Sequence, residues 1–235
     1  MMKLLGIETA TLACSVAVSD GGHVLATMTV AGRDRPSDHL MASIEHCVRL
    51  AGWSASALDG IAVSAGPGSF TGIRVGVTAA KMLAYVLGKP VAAVSSLDVV
   101  AANVPSPRWP LWVLVDARKE KLYAACYDPS SAGHPSSGRV VPRRVGPEQL
   151  ITLEQLLPQL RGDVVVLGDG LVRYGAQIRA AVGERGCCLP PELWVPQASA
   201  VCRLGALAFA AGRGVSPHAL VPQYLYSQES DITGW

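Results

Sequence analysis

Charged residues are scarce in this chain, at 16% of 235 residues, and the formal net charge is only +2. That balance excludes a protein that grips nucleic acid through a broad basic surface of its own. The one basic cluster, Arg139 with Arg143-Arg144, lies in a Pro/Gly-rich stretch and reads as a solvated loop. Cys-x-x-Cys is absent, and the six cysteines are scattered among core-like segments, so they read as buried thiols in a reducing compartment. Residues 1 to 10 lack the long apolar core and cleavage site of a signal peptide. No uninterrupted apolar run reaches the roughly 18 residues of a membrane span. The chain is expected to be cytoplasmic and free of membrane.

What the chain does have is apolar content, 50%, enough for one large domain or two small lobes with real cores. It is organised around Gly66-Pro67-Gly68-Ser69-Phe70-Thr71-Gly72-Ile73-Arg74-Val75-Gly76, which follows the buried strand Ile61-Ala62-Val63 and leads into a long helix ending at Gly88-Lys89-Pro90. Its glycines let another backbone, a ligand or a partner approach the helix start, where free N–H groups favour an anion. A phosphate loop would end in Gly-Lys-Ser/Thr; this one has Gly72-Ile73-Arg74 and reads as a tight strand-to-helix turn.

The polar residues of that helix, Arg74, Thr78, Lys81 and Tyr85, line one narrow stripe, and nearly everything else from Ile73 to Leu87 is apolar or small. Such a helix is expected to be covered on two sides. One cover is its own sheet; the other is a second helix or a second molecule, and periodicity leaves both open.

In chain order, Lys3 to Ile7, Cys14 to Val18 and His23 to Val30 read as three antiparallel strands, with Glu8-Thr9-Ala10-Thr11 as the first turn. That turn suits a metal-bound phosphate, or its hydroxyls simply satisfy the backbone. A helix over 38 to 51 carries the apolar stripe Leu40, Ile44, Val48 and Ala51. Its His39 and His46 would stand about 10.5 Å apart along the axis, too far to chelate one metal ion. Pro105, Pro107 and Pro110 mark a boundary between a first lobe, 1–104, and a second, 105–235. The second lobe repeats strand-turn-strand at Leu111 to Tyr127. Residues 128 to 147 read as loop, Pro147 to Leu160 as helix, Asp163 to Leu167 as strand, and Leu171 to Val182 as helix after Gly168-Asp169-Gly170. A last helix over 198–211 is expected to pack back on the first lobe.

Ile7-Glu8-Thr9-Ala10-Thr11 with Cys14-Ser15, the string Ser64 to Arg74, Lys81 and Leu83, Val94 to Asp98, and Val115-Asp116-Ala117-Arg118 with Tyr123-Ala124 resemble the bacterial TsaB family, also called YeaZ. The likeness is dense through residues 3 to 127 and looser from 128 to 221. It implies an α/β, two-lobed fold of the actin, Hsp70 and sugar-kinase superfamily, each lobe a mixed β-sheet with flanking helices. It implies a role in making N6-threonylcarbamoyladenosine (t6A) at position 37 of tRNAs that read codons beginning with adenine. In that system TsaB is a non-catalytic paralogue of the transferase TsaD, pairs with it through first-lobe helices, and the pair recruits the ATPase TsaE. tRNA is met only through the complex, and no cofactor is implied.

The resemblance makes Leu40, Ile44, Val48, Ile73, Arg74, Val77, Ala80, Lys81 and Ala84 candidates for the partner interface, the apolar ones for core as well. The same patch would favour a homodimer of the isolated chain. Glu8, Thr9 and Thr11 with Asp116, Gly168 and Gly170 are the candidates for a nucleotide cleft. A transferase of the TsaD type holds its metal with His-x-x-x-His, which this chain lacks. Two positions depart from the family pattern: Tyr226 stands after Tyr224-Leu225 where arginine is usual, and Glu8 where aspartate is common. The rival reading is an enzyme of the same superfold, a small-molecule kinase or an M22 glycoprotease-like transferase or peptidase, which would need tight binding of nucleotide and metal.

Overall fold

A computed structural model of the chain describes residues 1–11, 13–32, 36–104, 106–129 and 141–226. Pro105, Arg139 and residues 227–235, which the sequence reading touched, lie outside the described residues. The chain forms two compact units, Met1–Val99 with Val195–Pro222, and Val100–Trp194 with Gln223–Trp235. It therefore passes between them three times, and the last helix falls in the first unit.

The first unit holds a five-stranded sheet of β1 (Lys3–Glu8), β2 (Ala13–Asp20), β3 (His23–Ala31), β4 (Gly60–Ser64) and β5 (Val91–Val94), in the order β3-β2-β1-β4-β5. β1, β2 and β3 pair antiparallel; β4 and β5 join parallel to β1. Alternation along the central strands gives the sheet two different faces. Leu5, Ile7, Val16, Val18, Ile61 and Val63 share one core with α1 (Leu40–Leu50) and α2 (Phe70–Leu87).

The opposite face is built of small residues and receives α6 (Ala198–Ala210). A side chain at Gly6 would run into the Ala198 carbonyl and Cys202 Sγ, and Gly205 sits directly on Ala62. The start of α6 is fastened by its Ala198 N–H, which donates to Ser15 Oγ at 3.0 Å.

α2 begins where Ser69 caps it, its Oγ accepting from the Gly72 N–H, and stops at Gly88, which is left-handed at φ 64. By length and composition α2 and the Pro191–Ala210 stretch could each cross a membrane. In the fold both α2 and α6 lay one face on the first sheet, and the exposed Arg74 and Thr78 interrupt the apolar run of α2.

The second unit repeats the plan. β6 (Leu111–Arg118), β7 (Lys121–Asp128), β8 (Arg143–Thr152), β9 (Val164–Leu167) and β10 (Gly186–Cys188) lie in the order β10-β9-β6-β7-β8. Antiparallel pairing links β6 to β7 and β7 to β8, and parallel pairing links β6 to β9 and β9 to β10. A short helix, α3 (Ser96–Ala101), follows β5; α4 (Leu153–Leu156) follows β8. α5 (Gly170–Val182) packs Leu171, Tyr174, Ile178 and Val182 into the core of this unit.

Three expectations change here. Residues 143–152 are a strand, and the helix expected from Pro147 is the single turn Leu153–Leu156, followed by a 3-10 turn. Arg143 and Arg144 stand on that strand and not in a loop; Arg143 is solvated as expected while pairing with Asp128, and Arg144 is half-buried against Glu148. Of the cysteines, Cys14, Cys47 and Cys202 are buried, whereas Cys187 is exposed and Cys126 and Cys188 are half-buried.

Candidate functional site

The glycine-rich stretch and the first turn, the two places where a phosphate could have been cradled, are packed against each other. The Ser69 N–H donates to the Ala10 carbonyl at 2.7 Å, and Thr9 Oγ1 donates to the Gly72 carbonyl at 2.8 Å. A Cβ at Gly72 would fall 2.0 Å from the Thr9 oxygen, one at Gly68 2.2 Å from that of Ala10, and one at Gly76 2.2 Å from Thr9 Oγ1. The backbone that these glycines admit is the chain's own. Thr11 is engaged as well, its Oγ1 accepting from the Ala13 N–H at 3.2 Å.

Glu8, at the end of β1, is fully buried. Its Oε1 accepts from the Ala10 N–H at 2.6 Å, while Oε2 and the Ser64 Oγ on β4 are near enough to interact but not in the geometry of a full hydrogen bond. Desolvation raises the carboxyl from 4.5 to about 7, against the smaller downward pulls of Ser64 and the Ala10 N–H.

The second-unit members of the predicted cleft have structural duties too. A Cβ at Gly168, where φ is +117, would lie 2.0 Å from the Leu114 carbonyl oxygen, and one at Gly170 would strike Leu122. These glycines let the β9–α5 turn close onto β6 and β7. Asp116 donates its N–H to Asp169 Oδ1 at 2.9 Å, and Asp116 Oδ1 accepts from the Arg118 N–H at 2.9 Å. Desolvation is the largest influence on Asp169, whose carboxyl is raised above the usual range.

The predicted interface divides in the same way. Leu40, Ile44, Val48, Ile73, Val77, Ala80 and Ala84 are all buried in the core of the first unit, because their spacing turns them toward the sheet. Lys81 is half-buried, its Nζ donating to the Leu220 carbonyl at 3.0 Å. It braces the tail, as does the edge-to-face contact of Tyr85 with His218. Only Arg74 of the predicted set lies on the open face, its guanidinium 4.4 Å from the centre of the Phe70 ring.

That open face carries Tyr85, read from the sequence as part of the polar stripe, and large apolar side chains the sequence reading did not single out. Phe70 is 54% exposed, Met82 58%, Tyr85 62% and Val86 74%. Phe70, Arg74, Thr78, Met82 and Val86 follow one another at intervals of four, a row that turns about 40° per step and so winds across the exposed side of α2. On α1, Met41 and Leu50 are exposed as well. A groove beside them is lined by Met41, Ile44, Glu45, Val48, Arg49 and Trp53. The signal lay in the sequence: whatever falls in line with Arg74 and Thr78 shares their exposure.

One further feature belongs to the second unit. The hairpin joining β6 and β7 pairs Arg118 with Lys121 around Lys119-Glu120, after a register shift at 116–118. Arg118, Lys119 and Glu120 have φ of 61, 45 and 62. A left-handed backbone at a residue with a side chain costs about 1–2 kcal/mol. Tyr226 helps hold this turn, its hydroxyl donating to the Ala117 carbonyl at 2.8 Å.

Comparison with known proteins gives these surfaces a family. A model described as "TsaD: tRNA N6-adenosine threonylcarbamoyltransferase" matches residues 32–134. The tRNA threonylcarbamoyladenosine biosynthesis protein TsaB of Escherichia coli (strain K12) is 30% identical over 229 residues, covering 95% of this chain and 94% of that protein. The chain belongs to the TsaB family. TsaB of Bacillus subtilis (strain 168) is 28% identical over 233 residues, 98% of this chain and 96% of its own length. The crystal structure of YeaZ from Pseudomonas aeruginosa superposes with a TM-score of 0.81 at 28% identity, covering 96% of this chain and 100% of that one. Two mixed sheets with flanking helices are thus the fold this chain shares with YeaZ. Among the described residues of this TsaB-family chain, no three His, Cys, Asp or Glu side chains converge on a point where a metal ion could sit.

Proposed function

We propose that this chain is a non-catalytic subunit of the machinery that makes threonylcarbamoyladenosine in tRNA, and that it works by docking a TsaD-like transferase on the outward face of α2. The observation that carries the reading is the stripe of exposed Phe70, Met82 and Val86 around Arg74. Exposed apolar side chains aligned on one helix mark an interaction site, and an aromatic and an arginine are the residue types that anchor one. α1 packs on the same side of the sheet and adds Met41 and Leu50.

The chemistry-bearing turns support the non-catalytic part. Thr9, Ser69 and the glycines of the central stretch are spent on each other, and Gly168 and Gly170 on β6 and β7. A TsaE-like ATPase would be the third component, meeting the pair in the cytoplasm. Without its partner the same apolar face would pair with a second copy.

Co-expression with the same organism's TsaD-like protein, followed by size exclusion with light scattering, tests the docking. Wild type is expected to form a one-to-one complex that Val86→Glu disrupts. Absence of a wild-type complex would remove the proposal, and a complex indifferent to Val86→Glu would move the docking surface off α2.

A further inference from the structure

The β6–β7 hairpin asks why it is charged. Its two-residue loop needs a left-handed backbone, and such loops are ordinarily filled by asparagine or glycine. Here Arg118, Lys119 and Glu120 all take positive φ and all are exposed. Three long charged side chains have been kept against the preference of the backbone that presents them, a pattern of strained positions at functional sites.

The turn is held in place from several sides. Tyr226 donates to the Ala117 carbonyl, Asp116 Oδ1 accepts from the Arg118 N–H, and Asp169 accepts from the Asp116 N–H. Arg173 of α5 reaches Glu120 at 3.4 Å, bringing a further cation to the tip, and the Lys121 ammonium lies 5.4 Å from the centre of the Tyr226 ring. Four cations, Arg118, Lys119, Lys121 and Arg173, thus stand against the carboxylates of Asp116, Glu120 and Asp169, with Glu120 paired to Arg173, so the balance of charge at the tip is positive.

We infer that this hairpin is a contact for the phosphate backbone of a structured RNA, through which the chain itself touches the tRNA undergoing modification. Lysine and arginine on a fixed turn suit phosphates, which position an RNA without reading its sequence. A narrow tip of this kind is compatible with a chain of low overall charge, because it adds one or two phosphate contacts to a complex rather than holding RNA alone. The inference rests on the proposed role in tRNA modification.

The test is the affinity of an unmodified transcript of an ANN-decoding tRNA for the full chain, alone and with the TsaD-like transferase, measured against salt. Three forms are compared: wild type, Arg118→Asn/Lys119→Asn, and Arg161→Gln as a control at an exposed arginine elsewhere in the same unit. Asparagine tolerates the left-handed backbone, so the double variant removes charge without adding strain, and its melting temperature should equal or exceed that of wild type. Its affinity for tRNA is expected to fall about tenfold at 100 mM salt, and the slope of log K against log salt to shrink by about 1–2. Arg161→Gln should leave both unchanged.

Affinity and slope equal to wild type in the double variant would overturn the inference. So would absence of tRNA binding by wild type both alone and with the transferase, or a loss of transferase or ATPase capture with tRNA affinity intact. Because complex formation is read separately by light scattering, failure of the hairpin contact and failure of the proposed function give different results.

Discussion

Burial lifts the Glu8 carboxyl to about 7, so the folded chain holds a proton there across a range in which the unfolded chain does not. A raised carboxyl contributes its stability fully below the unfolded value of 4.5 and loses it as pH climbs through about 7. The loss from this group should be about 3 kcal/mol between those limits. Glu8→Gln, which keeps the shape and cannot ionise, should flatten the dependence and be more stable than wild type at pH 8. Urea midpoints at pH 5 and pH 8 would show it; equal slopes for the two proteins would contradict the assignment. The physical cause is the complete burial of the carboxyl, which Ser64 and the Ala10 N–H offset only in part. Sequence alone placed Glu8 at a strand end with hydroxyls behind it, but could not tell that Thr9 and the Ser69 N–H would be satisfied by each other's turns.

At the scale of the element, α2 separates what a helix needs for folding from what it offers a partner. Ala80 is fully buried and Val86 is 74% exposed, although both sit in the same apolar run. Ala80→Glu would force a carboxylate into the core and should cost more than about 4 kcal/mol, whereas Val86→Glu should stay within about 0.5 kcal/mol of wild type. Thermal melts of the two proteins check this, and similar melting temperatures would mean that the burial pattern of α2 is wrong.

The stripe of Arg74, Thr78, Lys81 and Tyr85 was legible as periodicity, and so were the strand before the helix and its stop at Gly88. Which apolar residues joined that stripe had to be read by extending it in steps of four, because Ile73, Val77 and Ala84 differ from Met82 and Val86 only by rotation about the axis. The β8 region misled for a related reason. Leu150, Leu153, Leu156 and Leu157 imitate a helical face, yet β7 offers an edge to pair with, and Thr152 with Gln155 forms a capping box that starts the helix only at Leu153. That Thr-x-x-Gln signature was in the sequence. β10, three residues long, leaves no periodic trace.

Across the whole molecule, each unit sets three antiparallel strands beside two parallel ones, in the same order. The recurrence of strand-turn-strand at Leu111 to Tyr127 had signalled this duplication. The units then differ at their turns. In the first, the β1–β2 turn is tucked under the glycine-rich stretch; in the second, the corresponding β6–β7 turn is exposed and charged. Packing against the glycine-rich stretch takes up the β1–β2 turn, and the large exposed apolar side chains of the first unit include those on α2.

On the proposed function, this chain serves tRNA modification through a docking face rather than through a reactive site. Reconstituted threonylcarbamoylation with the TsaD-like transferase, the TsaE-like ATPase, threonylcarbamoyl-AMP and an ANN-decoding tRNA tests it most directly. Omitting the chain should abolish product, Val86→Glu should do nearly the same, and Glu8→Gln should keep the rate within about twofold. A rate lost in Glu8→Gln and kept in Val86→Glu would contradict it, placing the function in the first turn and not on α2.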